Sequence, residues 1–232
     1  RYGLHDTEPV LSFRAVMQRV RDVIRDIEPH DSVERYTGLG VEVLQGHARL
    51  VDPWTVEIAL NGGGTQRLTA HSIVLATGAR PFVPPLPGIE QVKCVTSDTL
   101  WDRFATLDHP PARLVVLGGG PIGCELAQAF ARLGSQVTLV EMAPRLLLRE
   151  DEDVSAFARE ALQADGVQVR TGQRALRCER DDATQWLVVD NAGREERIAF
   201  DHLICAVGRV ARLEGFGLTE LGIPTGRVIE TN

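Results

Sequence analysis

The sequence predicts an α/β fold, a parallel sheet with helices plus antiparallel β-meanders. Three observations carry that prediction. Apolar runs such as Ile73-Val74-Leu75-Ala76, Leu114-Val115-Val116-Leu117 and 203–207 read as strands covered on both faces. Segments with helical periodicity alternate with the last two of these runs. Between them lie stretches of period two broken by glycine turns, as antiparallel hairpins require.

Taken in order, residues 10–28 form the first helix. Val10, Phe13, Met17, Val20, Ile24 and Ile27 recur at three- and four-residue steps, and Pro29 stops it. Asp31 with Glu34 resembles a capping box for a short turn ending at Gly38 and Gly40. Strands are expected at 41–45, 48–51, 54–60, 65–69 and 72–77, with Asn61-Gly62-Gly63-Gly64 as a hairpin turn. Residues 80–88 hold Pro81, Pro84, Pro85, Pro87 and Gly88 and form the best linker candidate. A short helix follows Ser97. The run 114–117 is a strand, Ile122, Leu126, Ala129, Phe130 and Leu133 line a helical face, and Gly134 ends that helix. Residues 137–140 are the next strand. A second amphipathic helix carries Val154, Phe157, Ala158, Ala161 and Leu162 and ends at Gly166. A strand at 167–170 leads into a meander that turns at Asp190-Asn191-Ala192-Gly193, and 203–207 closes the pattern before Gly208-Arg209.

The two halves resemble each other. Gly40-Val41-Glu42-Val43-Leu44-Gln45-Gly46 aligns with Gly166-Val167-Gln168-Val169-Arg170-Thr171-Gly172. Each leads through a meander to Ala-x-Gly, at Ala76-Thr77-Gly78 and Ala206-Val207-Gly208. In the second copy a glycine-rich turn begins at Gly118, 90 residues before Gly208. The same distance back from Gly78 falls before residue 1, so the first copy is expected to own a similar turn upstream.

That turn, Gly118-Gly119-Gly120-Pro121-Ile122-Gly123, follows a strand and opens a helix, the context a dinucleotide fingerprint needs. Gly118 permits the tight turn, Gly120 lets backbone approach a pyrophosphate, and Gly123 lets helix and strand pack closely. The helix N-terminus presents unpaired N–H groups to the phosphates. Glu141 closes the next strand 23 residues beyond Gly118, where a carboxylate accepts from ribose hydroxyls and repels a 2′-phosphate. NAD is therefore favoured, although Arg145 nearby keeps NADP open. Glu125 has two readings, an acid in the first helical turn answering the helix dipole or a group near the nicotinamide. The fold class is thus Rossmann-like.

The chain has 232 residues, 25 Lys+Arg against 32 Asp+Glu and a formal net charge of −7. That balance gives no footprint for nucleic acid or an anionic membrane. Aromatic residues are 5%, too few for base-stacking platforms. No apolar run is long enough to span a bilayer. Cys94, Cys124, Cys178 and Cys205 show no metal-ligand or redox-pair spacing and read as small buried hydrophobes of a reduced, cytoplasmic protein. No histidine has a partner at ligand or catalytic spacing, and no metal site is expected. The start Arg1-Tyr2-Gly3-Leu4 carries neither Met nor signal pattern, so a piece of a longer polypeptide is expected.

The run Gly118–Ala127 resembles the nicotinamide-binding segment of the flavin-dependent pyridine nucleotide-disulfide oxidoreductases. Ile73–Pro81 resembles that family's segment near FAD, and Cys205-Ala206-Val207-Gly208-Arg209 the end of its nicotinamide domain. Within the family the likeness is to the mercuric reductase and dihydrolipoamide dehydrogenase types and covers essentially the whole chain. The resemblance implies an FAD/NAD(P)-binding fold in which NAD(P)H gives a hydride to FAD, and FAD reduces a cysteine pair that acts on a disulfide or metal ion. It implies a partial FAD-binding domain at 1–81, an NAD(P)-binding domain at 82–209 and a return segment at 210–232. Gly118, Gly119, Gly120, Pro121, Ile122, Gly123, Glu125 and Glu141 would bind the nucleotide, with Val207 and Gly208 at the opposite strand end. Ala76, Thr77 and Gly78 would lie near the flavin.

The family's first glycine turn and its cysteine pair are expected upstream of residue 1. Its closing Gly-Asp segment and dimerisation domain are expected beyond Asn232. No catalytic residue is therefore assigned here, and the chain alone is expected to be inactive and without FAD. The full-length protein would be a homodimer. Two alternatives stand beside this reading: a non-catalytic NADH-sensing module, and an NADH oxidase or quinone reductase type without the cysteine pair. A free-standing dehydrogenase leaves residues 1–80 unexplained.

Overall fold

The computed structural model describes residues 11–231; Val10 of the expected first helix lies outside them. In chain order it contains α1 (Phe13–Ile27), a 3-10 turn (Glu28–Asp31), α2 (Val33–Gly38), β1 (Gly46–Asp52), β2 (Thr55–Leu60), β3 (Thr65–Thr69) and β4 (Ala79–Pro81). A second 3-10 turn (Ile89–Gln91), β5 (Cys94–Thr96), α3 (Leu100–Phe104), β6 (Arg113–Leu117), α4 (Pro121–Arg132), β7 (Gln136–Val140) and α5 (Glu152–Ala164) follow. The rest is β8 (Gln168–Arg170), β9 (Gln173–Arg180), β10 (Gln185–Asn191), β11 (Arg194–Phe200), β12 (His202–Cys205) and β13 (Arg209–Ala211). Two compact units result. One takes the chain through Asp22 and Pro81–Gly208; the other takes Val23–Arg80 and the segment from Arg209.

The first unit is built on a five-stranded sheet in the order β5-β12-β6-β7-β8, with every pairing parallel. Side chains alternate across a strand, so each face needs its own cover. On one face Leu114, Val116, Val137, Leu139 and Ile204 meet Phe104, Leu126, Ala127, Phe130 and Leu162 from the helices. Phe13 and Met17 of α1 bury in the same cluster, with the Phe13 and Phe130 rings 6.3 Å apart. On the other face Val115, Leu117, Val140 and Leu203 pack against Leu187, Val189, Ile198 and Phe200 of the antiparallel meander β9-β10-β11. The double burial expected for 114–117 is therefore literal. Gly134 (φ +99°) and Gly166 (φ +88°) end α4 and α5 in the left-handed region that favours glycine.

The second unit holds the antiparallel meander β1-β2-β3. Arg49, Glu57 and Arg67 stand opposite one another across its three strands, and Glu57 accepts from both guanidinium groups. Gly63 and Gly64 take positive φ in the expected hairpin turn. The later segment returns to β1, where Leu50 N–H donates to the Phe216 carbonyl and the Phe216 ring stacks on His47.

Four expectations shift. Residues 41–45 and 72–77 are not strands, because a strand is made by its ladder partner and no described strand lies beside either segment. Val74 is 88% exposed rather than covered. The cap of α2 is Ser32, whose Oγ accepts from Arg35 N–H, in place of Asp31 with Glu34. On α5 Leu162 is buried and Ala158 and Ala161 are half-buried as expected, but Ser155 joins the inward face in place of Val154 and Phe157, and Phe157 is 74% exposed.

Candidate functional site

The site lies where β6, β7 and β12 end. The chain leaves β6 through α4 to β7 on one side, while β12 lies on the other. The carboxyl ends of β6 and β12 thus lie side by side, and open α/β sheets bind ligands in the crevice outside the carboxyl ends of their strands.

The glycine turn spans that crevice. Gly118 has φ +110° and donates its N–H to the Val140 carbonyl. A Cβ there would lie 2.5 Å from the Ala206 carbonyl oxygen and 3.0 Å from Val207 N. The structure therefore brings Gly118 and Val207-Gly208, 90 residues apart, to one place. Gly123 packs as expected, since an added Cβ would sit 1.9 Å from the Gly118 carbonyl oxygen. Gly119 is crowded by Leu146 and Glu141. Gly120 differs from all three. Its Cβ would meet nothing within 4 Å, at an ordinary φ of −77°.

Gly120 is also the N-cap of α4, with Pro121 in the first turn, and no side chain caps the helix. The first intrahelical bond is donated by Cys124 N–H to the Gly120 carbonyl, so the amides of Ile122 and Gly123 precede it. Helix amides and dipole together open on the space over Gly120. That is the cradle a phosphate pair needs, and a side chain at 120 would fill it.

Glu141 reaches back to the same turn. Its Oε2 accepts from Gly119 N–H at 2.6 Å and its Oε1 from Ala143 N–H at 2.7 Å. A carboxylate has about four acceptor positions, which leaves capacity for ribose hydroxyls. Arg145 does not face outward as a free cation. It donates to the carbonyls of Leu147, Leu148 and Glu150. Nothing in the sequence signals this clamp or the left-handed Leu147 it holds (φ +47°). Glu125 is exposed and is the fifth residue of α4, whose first turn has no acidic residue, because the helix starts at Pro121. It therefore lies outside the turn where the dipole acts most strongly.

Val207 and Gly208 are exposed just beyond β12. Ala76, Thr77 and Gly78 belong to the other unit, where Thr77 Oγ1 donates to the Arg212 carbonyl and Arg212 N–H to that of Gly78. Gly78 has φ +70° and open space at its Cβ position. The four cysteines are free thiols. Burial pushes Cys94 up to about 12 and Cys124 and Cys178 to about 11, and it raises Cys205 as well. They are packing groups. Among the described residues no cluster of metal-binding side chains occurs and no helix is long and apolar enough to cross a membrane.

The model of one protein family, the pyridine nucleotide-disulphide oxidoreductases, matches residues 6–232. The chain belongs to this family. Its members are flavin-dependent oxidoreductases that use NAD(P)H. Mercuric reductase of Streptomyces lividans is 33% identical over 97% of the chain and 46% of its own length. Dihydrolipoyl dehydrogenase of Thermus scotoductus is 37% identical over 80% and 39%. Among solved structures, the HOCl-induced flavoprotein disulfide reductase RclA of Escherichia coli, as a Cu(II) complex, superposes with a TM-score of 0.80 at 26% identity, covering 94% of this chain and 48% of that one. The chain thus spans under half the length of these relatives. The expected family and the α/β fold class are both borne out.

Proposed function

We propose that the 82–209 portion is the nicotinamide-dinucleotide site of a flavin-dependent oxidoreductase and that it binds NADH in preference to NADPH. One observation carries this reading: the open cradle over Gly120 at the start of α4. The backbone of Gly118–Gly123 and the amides of Ile122 and Gly123 hold the pyrophosphate, and Pro121 starts the helix without spending a donor. Glu141 accepts from the adenosine ribose and opposes a 2′-phosphate. Val207 and Gly208 border the nicotinamide half, with Glu125 on the neighbouring helix. Ala76, Thr77 and Gly78 contribute to the flavin side in the full protein. When bound, the nicotinamide would supply hydride chemistry to the flavin of the full protein, with a disulfide or metal ion as the final acceptor.

Titration of the chain with NADH and NADPH by fluorescence, with a flavin absorbance scan, tests this. Saturable NADH binding between micromolar and millimolar is expected, weaker NADPH binding, and no flavin band. Glu141→Ala is expected to narrow the gap between the two nucleotides. Absence of saturable NADH binding overturns the assignment, and stoichiometric flavin overturns the expectation of a flavin-free chain.

A further inference from the structure

We infer that Arg145 is a positioning residue for the nucleotide: its guanidinium holds the 141–150 loop in the shape that seats Glu141 on the glycine turn, and it is not a ligand for a ribose phosphate. The inference rests on the dinucleotide reading above.

The loop has to carry the chain from the end of β7 to the start of α5 past the glycine turn. It does so by placing Leu147 at φ +47°, where an L side chain is uncommon. Three carbonyls then converge on one guanidinium. Arg145 Nη1 donates to Glu150 O at 2.8 Å and to Leu147 O at 3.3 Å, and Nη2 donates to Leu148 O at 3.0 Å. A planar fork of fixed donors suits that arrangement, and a lysine ammonium on a flexible stem does not.

The clamp has a consequence at the cradle. With the loop so shaped, Leu147 N–H donates to the Gly119 carbonyl at 2.9 Å. Leu146 is buried beneath, and its own carbonyl accepts from Ser155 Oγ at 2.7 Å. Gly119 N–H is taken by Glu141 Oε2 at 2.6 Å. Gly119 is therefore gripped through both of its backbone polar groups, by Glu141 on the N–H and by Leu147 on the carbonyl. Arg145 acts on the cradle through Leu147. Three of its five guanidinium N–H groups are committed to the loop, so a 2′-phosphate could take the full fork only by releasing those carbonyls, which would loosen Gly119 and Glu141 together.

The test compares the wild-type chain with Arg145→Ala and Arg145→Lys. The readouts are NADH and NADPH dissociation constants and the hydrogen-exchange rate of the Leu147 amide without nucleotide, with circular dichroism confirming that each variant is folded at the working temperature. Both variants are expected to bind NADH about tenfold more weakly, the scale of a lost hydrogen bond. NADPH is expected to weaken by less than NADH, so that the gap narrows in the direction Glu141→Ala gives, and the Leu147 amide to exchange faster in both. A loss confined to NADPH would identify Arg145 as a phosphate ligand and overturn the inference. Full NADH affinity in Arg145→Lys would show that charge alone matters and would overturn it equally. A wild-type chain that binds neither nucleotide overturns the dinucleotide reading. The Leu147 exchange rates would then show separately whether the clamp itself stands.

Discussion

Gly120 and Gly123 are three residues apart, yet the structure assigns them opposite vulnerabilities, and alanine at each separates ligand binding from folding. At Gly123 a new Cβ would stand 1.9 Å from the Gly118 carbonyl oxygen and 3.0 Å from its carbon. Backbone is the obstacle, so α4 and the end of β6 must part by more than 1 Å. Overpacking of that kind costs about 1–3 kcal/mol, a Tm loss of roughly 2–12 °C for a chain of this size. At Gly120 the backbone is ordinary and the space open, so Gly120→Ala is expected to stay within about 0.5 kcal/mol of wild type. Its methyl group instead occupies the phosphate cradle. Loss of one charge-assisted hydrogen bond is worth about 1.5–3 kcal/mol, hence a roughly 10–150-fold weaker NADH complex. Thermal denaturation by circular dichroism and NADH fluorescence titration read the two effects. Undiminished NADH binding by Gly120→Ala would refute the seating of phosphates there. A wild-type Tm for Gly123→Ala would refute the close packing of helix on strand.

Two further outcomes follow from buried titratable groups. His202 is 7% exposed with no partner for Nδ1 among the described residues, and burial, reinforced by the Lys93 and Arg103 charges, pulls it down to about 4 from 6.5. The unfolded chain therefore takes the proton first, so this group costs nothing above pH 6.5, and stability falls as pH drops from 6.5 to about 4, by up to about 3 kcal/mol. Denaturant titrations at pH 7 and 4.5 should show that loss in wild type and a smaller one in His202→Leu; equal slopes would discard the argument. The cysteines are protonated at pH 8, where a thiol near 11 has roughly a few-hundredfold less thiolate than a free one. Iodoacetamide should therefore alkylate the folded chain at least about 100-fold more slowly than the denatured one. A cysteine reacting at the free rate in the folded chain would contradict its burial.

The parallel sheet was legible because its signals are local. The run 114–117, the glycines behind it and the helical stripe from Ile122 to Leu133 each report on their own few residues. The segments 41–45 and 72–77 failed for the converse reason. Their composition is that of strands, but pairing is a property of two segments, and neither finds a neighbour among the described residues. The start of the α5 stripe was also out of reach: Ser155 turns inward and donates to the Leu146 carbonyl, while Val154 and Phe157 are exposed. At the glycine turn, the tight turn at Gly118 and the close helix packing at Gly123 were readable from type and spacing. The close approach of Ala206 and the grip of Arg145 on its loop were not, since both depend on backbone carbonyls that every sequence possesses.

A strand greasy on both faces raises a question of alignment. A slip of one residue normally throws apolar groups into water and so corrects itself. Leu114, Val115, Val116 and Leu117 carry no such penalty, because either phase would satisfy both clusters. Their alignment has to be enforced from the ends. At the start of β6, Asp201 accepts the Arg113 N–H and its guanidinium, each at 2.8 Å, beside the first residue of β12. At the other end, only a glycine at 118 fits under the Ala206 carbonyl. Strand β6 is located like a bolt between two stops, and the stop at its far end is also the first residue of the proposed nucleotide cradle.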